Sequence, residues 1–250
     1  MIKYVTSRKN KIVLDTIELR QNKNSQKEKR FIIEGNHLLT MANNCHNLVY
    51  VLTNQRLKNI DENVDQYIVT NDILKKISIN KSVPNVIGVC NYVNDVISDE
   101  GSAVYLDNVQ DPGNLGTIFR SSLAFSVYNV MLSNDSVNKY NEKAIQASQG
   151  SLFSLNIESC NVDKLIDLKK QGYKVIVTVL SKDAINLDNF KFTKNNKYIL
   201  VFGNEGQGVR KEIIDLADSK IFIEMNNIDS LNVGVASSIL LYRLSLDLKK

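Results

Sequence analysis

The chain has 250 residues, of which 43% are hydrophobic and 23% are charged, and its formal net charge at pH 7 is +4. This composition excludes a disordered or collagen-like chain and fits one large domain or two smaller ones. Because no apolar run of about 18 residues occurs and the first residues are charged, we expect neither a transmembrane helix nor a signal peptide.

In chain order, the first part of the sequence predicts a small mixed α/β domain. Apolar spacing and turn residues predict a helix at 10–30, a strand at 31–35, a helix at 36–43, a strand at 48–52, a helix at 72–79 and a strand at 86–93. A polar stretch with a glycine at 97–102 is typical of a linker. We therefore predict domains at 1–98 and 99–250.

After this linker, apolar strands alternate regularly with helices. The pattern predicts strands at 103–107, 127–132, 173–180, 198–202 and 220–225, and helices at 115–126, 141–150, 165–171, 209–217 and 232–248. Such alternation predicts an α/β fold with a parallel sheet covered on both faces. Ligands of open parallel sheets bind beyond the carboxyl ends of the strands.

Cysteine and histidine usage limits the chemistry. Cys45, Cys90 and Cys160 are far apart and form no CxxC pair, so we expect no disulfide framework, no metal site and a reducing cytoplasm. Both histidines, His37 and His46, lie near the start of the chain. Chemistry in the second domain must therefore proceed without an imidazole base, which argues against a Ser-His-Asp triad and against a His-rich metal site there.

Basic residues are concentrated at the start of the chain. Residues 1–98 hold 14 Lys/Arg and 9 Asp/Glu, a net charge of +5, whereas residues 99–250 hold 17 and 18, a net charge of −1. The first 30 residues contain 9 basic and 3 acidic residues. The imbalance indicates a polyanionic partner, with a solvated charged helix as the alternative.

Three strand-to-helix segments carry unusual polar and glycine patterns: DNVQDPGNLGTIFR (107–120), FGNEGQGVR (202–210) and EMNNIDSLNVGVASS (224–238). Glycine permits close backbone approach to a ligand, and a helix N-terminus favours an anion. None of the segments is a Walker A loop or a GxGxxG dinucleotide loop. Taken singly, Asn114 and Ser230 read as helix caps and Arg120 as a surface helix residue.

Together, the segments resemble the three motifs of the SpoU (TrmH) RNA 2′-O-ribose methyltransferases over residues 103–250. KAIQASQGSLF (143–153) resembles a further stretch of that family, and residues 7–35 resemble the substrate-binding domain of its rRNA-modifying branch. The resemblance implies a SPOUT α/β domain with a deep trefoil knot, preceded by a small α/β RNA-binding domain resembling a ribosomal protein. It also implies a homodimer that uses S-adenosyl-L-methionine to methylate a ribose 2′-hydroxyl in rRNA, of the large subunit by expectation.

The resemblance also implies roles for individual positions, and no metal. The expected catalytic residues are Asn114, Arg120, Glu205, Ser230 and Asn232. The expected cofactor-binding residues are Val201, Gly203, Gly206, Ile223, Met225 and Leu231. The basic arm is expected to hold RNA phosphates through Arg8, Lys9, Lys11, Lys29 and Arg30.

The family's proposal makes Arg120 the proton acceptor, but a guanidinium is always protonated and is a poor base. We expect Arg120 to bind the adjacent phosphate or to stabilise the developing alkoxide. A phosphate oxygen or Glu205 would then take the proton, while Asn114, Ser230 and Asn232 orient the reacting groups.

The third segment departs from the family pattern. Ile223-Glu224-Met225 stands where Ile-Pro-Met is usual, and the turn at 226–229 lacks the usual glycine. Because asparagine tolerates a positive φ, an Asn of this turn is expected to replace that glycine.

Three alternatives remain open. The first is a knotted RNA-binding relative without catalysis: the intact motif residues argue against it, and the altered third segment argues for it. A Rossmann-type oxidoreductase would require a GxGxxG loop. The same methyl transfer on tRNA is the third.

Overall fold

The computed structural model describes residues 1–93 and 96–249. It divides into two compact units, Met1–Val93 and Asn94–Lys250, so the division lies five residues before the boundary predicted at 98/99. The segment predicted as a linker, 97–102, packs with the second unit. Ile97 is buried in the core of that unit, and the Ser98 N–H donates to Asn129 Oδ1 at 2.9 Å.

The first unit is a five-stranded mixed sheet with the order β1-β4-β3-β5-β2. Its strands are β1 Ile2–Val5, β2 Arg30–Glu34, β3 Leu48–Thr53, β4 Asp65–Val69 and β5 Val86–Asn91. Its helices are α1 Lys11–Glu18, α2 Asn22–Glu28, α3 Asn36–Asn44 and α4 Asn71–Ile77. The parallel pair β1 and β4 escaped sequence reasoning because each is short and carries polar residues among the apolar ones.

The single helix predicted at 10–30 is wrong, because α1 and α2 are separate. The Asn10 side chain caps α1 by accepting the Ile12 N–H, and the C-cap residue of α1 is Leu19, whose side chain is buried in the core. The C-cap residue of α2 is Lys29, which has a left-handed φ of 52°. The Ser25 hydroxyl donates to the Arg30 carbonyl at 2.6 Å and fixes the turn into β2.

The second unit is a seven-stranded sheet with the order β10-β12-β9-β11-β6-β7-β8, and its paired strands are all parallel, as predicted. The strands are β6 Ala103–Leu106, β7 Asn129–Ser133, β8 Asn156–Cys160, β9 Lys174–Thr178, β10 Ile185–Asn186, β11 Tyr198–Phe202 and β12 Ser219–Phe222. The helices are α5 Pro112–Ala124, α6 Glu142–Ser148, α7 Val162–Lys170, α8 Lys211–Ile214 and α9 Val233–Lys249. Sequence reasoning missed β8 and β10.

The core of this unit lies under the central strands, where β-branched and aromatic side chains are removed from water. Tyr105, Val175 and Val201 are fully buried there, and Ile213 closes the cluster from α8. Burial of a side chain of this size stabilises the fold by about 1.5–3 kcal/mol. The central strands are thereby fixed, and their carboxyl ends form a rigid edge. No helix of the described residues is long and apolar enough to cross a membrane.

Candidate active site

The three polar segments leave the carboxyl ends of β6, β11 and β12, which all lie at one edge of the parallel sheet. They form the loops 107–111, 203–210 and 223–232, called here the first, second and third loops. The first leads into α5, the second into α8 and the third into α9. A ligand of this sheet would bind at this edge.

The first loop ends in a strong helix start. Asp111 caps α5 by accepting the Asn114 N–H at 2.8 Å, and Pro112 occupies the first helical turn. The prediction that Asn114 is the cap was wrong, because Asn114 already lies inside α5 with its side chain free to point elsewhere. Gly116 serves packing: a Cβ there would lie 2.4 Å from the Ala147 Cβ of α6.

The second loop folds back on itself. Asn204 and Gly208 exchange backbone hydrogen bonds of 3.0 and 2.9 Å, and Asn204 Oδ1 accepts the N–H groups of Gly206 and Gln207. Gly203 is required because a Cβ there would lie 2.2 Å from the Gly208 carbonyl carbon. This tight hairpin projects Glu205 toward the first loop.

The third loop contains the left-handed residue expected from its asparagines, since Asn227 has a φ of 67°. Asn232 caps α9: its Oδ1 accepts the N–H groups of Gly234 and Val235 at 2.9 and 3.2 Å. The interpretation of Ser230 as the capping residue was therefore wrong. Ser230 instead forms part of a cavity wall.

A hydrogen-bonded relay joins the third loop to the second through α5. Asn232 Nδ2 donates to Asn114 Oδ1 at 2.8 Å, and Asn114 Nδ2 donates to Glu205 Oε1 at 2.9 Å. Three of the five predicted catalytic residues are thus brought into direct contact, although Asn232 and Asn114 are 118 positions apart and Asn114 and Glu205 are 91 positions apart.

Glu205 is held as a carboxylate. Partial burial raises the pKa of Glu205, but hydrogen bonds from Asn114 and from the backbone N–H groups of Gln110 and Asp111 outweigh burial and leave the pKa below its ordinary value. The backbone donors lie 3.3 and 3.2 Å from the carboxylate oxygens. Glu205 therefore enters any reaction ionised and as an acceptor only.

Arg120 is exposed on α5, two turns beyond Asn114. Its guanidinium makes no hydrogen bond or ion pair with residues 1–93 or 96–249. The five donors of the guanidinium are therefore available for an anionic ligand.

A cavity of about 640 Å³ lies between the second and third loops. Its lining includes these predicted site residues: Gly203, Glu205, Gly206, Ile223, Met225, Ser230, Leu231 and Asn232. Val201 does not line the cavity, because its side chain packs into the core beneath the sheet edge. Sequence reasoning missed lining residues from the end of β9 and from α9, among them Thr178, Val179, Leu180, Ala236 and Leu240.

The structure also reveals an ion pair that sequence reasoning missed. The carboxylate of Asp107, at the end of β6, is fully buried and lies 2.6 Å from Arg210 Nη2 at the end of the second loop. The signal was present in the sequence as an acidic residue directly after a buried strand, but its partner lies 103 positions away.

The predicted RNA-binding residues of the first unit differ in exposure. Lys9 and Lys11 are exposed at the start of α1, whereas Arg8 is paired with Asp72 at 2.7 Å. Lys29 Nζ lies 5.8 Å from the centre of the Tyr92 ring, and Arg30 is half-buried at the start of β2.

Comparisons of this chain with known proteins all indicate the same family. The model of the SpoU rRNA Methylase family matches residues 101–242. The 23S rRNA (guanosine(2553)-2′-O)-methyltransferase RlmP of Bacillus subtilis (strain 168) is 28% identical over 249 residues, covering 97% of this chain and 99% of RlmP. The tRNA (guanosine(18)-2′-O)-methyltransferase of Aquifex aeolicus (strain VF5) is 37% identical over 142 residues, 56% of this chain and 66% of the relative.

Solved structures agree with this result. An AdoMet-bound rRNA methyltransferase from Sinorhizobium meliloti superposes with a TM-score of 0.87 at 26% identity, covering 99% of this chain and 98% of that one. The family model covers more than half of the chain and includes all three loops. The chain therefore belongs to the SpoU rRNA methylase family.

Proposed function

We propose that this protein transfers a methyl group from S-adenosyl-L-methionine to a ribose 2′-hydroxyl of rRNA. The observation that carries the proposal is the relay from Asn232 through Asn114 to Glu205, which lies at the wall of the cavity at the carboxyl edge of the sheet. A non-catalytic relative would have no use for a carboxylate held ionised by three donors.

The cavity suits S-adenosyl-L-methionine in size and chemistry. Its volume of about 640 Å³ falls within the range of about 300–1,000 Å³ typical of small-molecule sites. Apolar side chains such as Val179, Phe222 and Leu240 suit an adenine ring, while the hairpin of the second loop presents backbone groups to polar atoms. Gly203 and Gly206 would hold the cofactor mainly through this backbone, beside Ile223, Met225 and Leu231.

When bound, S-adenosyl-L-methionine supplies the electrophilic methyl group. The protein must orient the ribose hydroxyl and take up its proton. Arg120, whose donors are free, would bind the phosphate beside the target ribose and stabilise negative charge on the 2′-oxygen. Glu205, as an ionised acceptor, or a phosphate oxygen would receive the proton, with Asn114, Ser230 and Asn232 fixing the geometry.

The choice of rRNA rests on coverage of the chain. The rRNA-modifying relative matches both units, whereas the tRNA-modifying relative matches about the length of the second unit alone. The first unit would thus be the RNA-binding domain and would hold phosphates through Lys9 and Lys11, joined by Arg8, Lys29 and Arg30. A tRNA-modifying enzyme would instead be expected to bind its substrate through a domain like the second unit, without a domain like the first.

A homodimer is supported by a partly exposed apolar stripe on α9. Val235, Ile239, Tyr242 and Leu246 are spaced by four, three and four residues and are between 36% and 52% exposed. This spacing puts the four side chains on one face of the helix, as in a helix-pairing seam. A second copy of the chain would cover this α9 stripe.

The proposal includes a trefoil knot in the second unit and a cytoplasmic location. The knot is supported by the sheet order, in which β11 is inserted between β6 and β9 before the chain returns to pack α9 on α5. Chain tracing in an experimental density map would test it. The location is supported by the rRNA relative.

The function is tested first by calorimetric titration of the purified protein with S-adenosyl-L-methionine, with NAD as the control ligand. Micromolar binding of the former alone is expected. Transfer of labelled methyl to rRNA and tRNA transcripts follows, with the product located by resistance of the 2′-O-methylated linkage to alkali. Absence of binding would overturn the proposal, and transfer to tRNA alone would replace rRNA as the substrate.

A further inference from the structure

A buried carboxylate joins the first and second loops. Asp107 lies at the carboxyl end of β6 with its side chain 0% exposed. One oxygen, Oδ2, accepts the Arg210 backbone N–H at 2.8 Å, while Oδ1 accepts from Nε at 2.7 Å and lies 2.6 Å from Nη2. Both oxygens of the carboxylate are therefore occupied by one residue.

The same two loops meet again closer to the cavity. Asn204 Nδ2 donates to the Asn108 carbonyl at 2.9 Å, and Glu205 accepts the N–H groups of Gln110 and Asp111. The pair Asp107–Arg210 stands at the base of this contact, where the second loop enters α8. The separation of the two loops at their tips depends on how they are joined at this base.

We propose that Asp107 and Arg210 are positioning residues that hold the second loop against the first, and so place Glu205 on Asn114 and the Gly203–Gly206 hairpin along the cavity. This inference rests on the proposed function of the site. Neither residue touches the reacting atoms; both act through Glu205.

The chemistry of the pair favours positioning over a general contribution to stability. A buried carboxylate needs donors for both oxygens, and Arg210 supplies them in a single geometry: the backbone N–H serves Oδ2, while Nε and Nη2 of the planar guanidinium both serve Oδ1. The outer contacts of Arg210, with Asp135 and Glu212 at 3.5 and 3.6 Å, are longer and lie at the exposed rim. The strong contacts of Arg210 thus all point to the end of β6.

The first test follows the carboxyl group of Glu205 by carbon NMR in protein labelled at glutamate, with Glu205→Gln used for assignment. In Arg210→Lys, the backbone donor to Asp107 Oδ2 remains, but the paired contact of Nε and Nη2 with Oδ1 is lost, and the loops should separate. Glu205 would then lose donors from Gln110 and Asp111, and its pKa should rise toward the ordinary value.

Arg243→Lys is the matched control. Arg243 pairs with Asp247, a carboxylate only 10% exposed, at 3.1 Å within α9, and neither residue contacts the first or second loop. The pKa of Glu205 should be unchanged in this variant. Asp107→Asn, which keeps the side-chain size, is the second test variant should Arg210→Lys fail to fold. An unchanged pKa of Glu205 in the folded test variant overturns the inference.

The second test measures methyl transfer as a function of pH. In Arg210→Lys, kcat/KM should fall by about 10²-fold, because small misplacement of a catalytic group costs that much, and its acid limb should move to higher pH. Lower activity with an unmoved acid limb would overturn the inference. Because the NMR titration needs neither cofactor nor RNA, it stays decisive even if the wild-type protein transfers no methyl group.

Discussion

At the residue scale, hydrogen-bonding chemistry fixes which side-chain atoms of the relay donate and which accept. The N-terminus of α9 offers only N–H donors, so Asn232 must turn its Oδ1 toward Gly234 and its Nδ2 toward Asn114. Asn114 must then accept through Oδ1 and donate through Nδ2 to Glu205, whose carboxylate can only accept. The amide orientations therefore follow from the two ends of the relay.

Substitution of Asn232 separates capping from the relay. Asn232→Asp keeps an oxygen that caps α9 but removes the donor to Asn114, so stability should be nearly unchanged while methyl transfer falls. Asn232→Ala removes both and should also cost about 0.5–2 kcal/mol of unfolding free energy. Urea unfolding and transfer assays of both variants check this. Equal loss of stability in the two variants would contradict the capping role.

Glu205 should make stability depend on pH in the acid range. Because its folded pKa lies below the ordinary 4.5, the carboxylate contributes stability above pH 4.5, and this contribution is lost as the pH falls through the folded value. The difference in unfolding free energy between wild type and Glu205→Gln should be constant near neutral pH and shrink below pH 4.5. A difference that does not change with pH would count against the assigned hydrogen bonds.

Substitution of Arg120 tests whether a positive charge is enough for activity or whether the planar guanidinium is required. Arg120→Lys keeps the positive charge but loses the planar fork, so methyl transfer should fall by at least about tenfold while cofactor binding is retained. Parallel calorimetry and transfer assays measure the two quantities. Full activity of the lysine variant would show that a point charge suffices and would remove the proposed bidentate contact.

At the element scale, α5 is the central helix of the site because it packs on two neighbours. Gly116 lies against α6, and Thr117 lies against Gly234 of α9. Gly116→Ala would drive a methyl group into Ala147 and should destabilise the unit by about 1–3 kcal/mol. Gly206→Ala is the control in urea unfolding, because a Cβ there meets its nearest atom at 3.6 Å.

The α9 stripe gives a prediction for assembly. Ile239→Glu would place a charge in the centre of the proposed seam and should convert a dimer into a monomer in sedimentation experiments. Val83→Glu, a substitution at another exposed apolar residue, should leave the mass unchanged. A monomeric wild-type protein would remove the homodimer from the proposal.

At the scale of the whole molecule, charge is unevenly divided between the units, and this should appear in the salt dependence of RNA binding. Lys9→Gln and Lys11→Gln should each lower the slope of log K against log salt by about 0.7–0.9, the value of one released counterion. Arg8→Gln should lower it less, because Arg8 already pairs with Asp72. Lys191→Gln, an exposed lysine of the second unit, is the control.

The parallel sheet was predictable because its central strands are continuous apolar runs, which are rare outside strands buried on both faces. The strands β1 and β4 were not predictable, because the sequences IKYV and DQYIV carry no strong strand pattern. They form strands because β4 pairs with both β1 and β3. In the same way, Asp111 and Pro112 mark the start of α5 locally, yet the more distant Asn114 was taken as the cap.

The sequence by itself determined the class of fold, the family and the polar residues of the three loops, because these depend on local periodicity and on motifs that are contiguous in the chain. The tertiary structure alone decided that Asn232, Asn114 and Glu205 form one relay, that Val201 faces the core and that Asp107 pairs with Arg210. These are contacts across about a hundred positions. They exist because parallel strands bring distant segments to one edge, which no local pattern records.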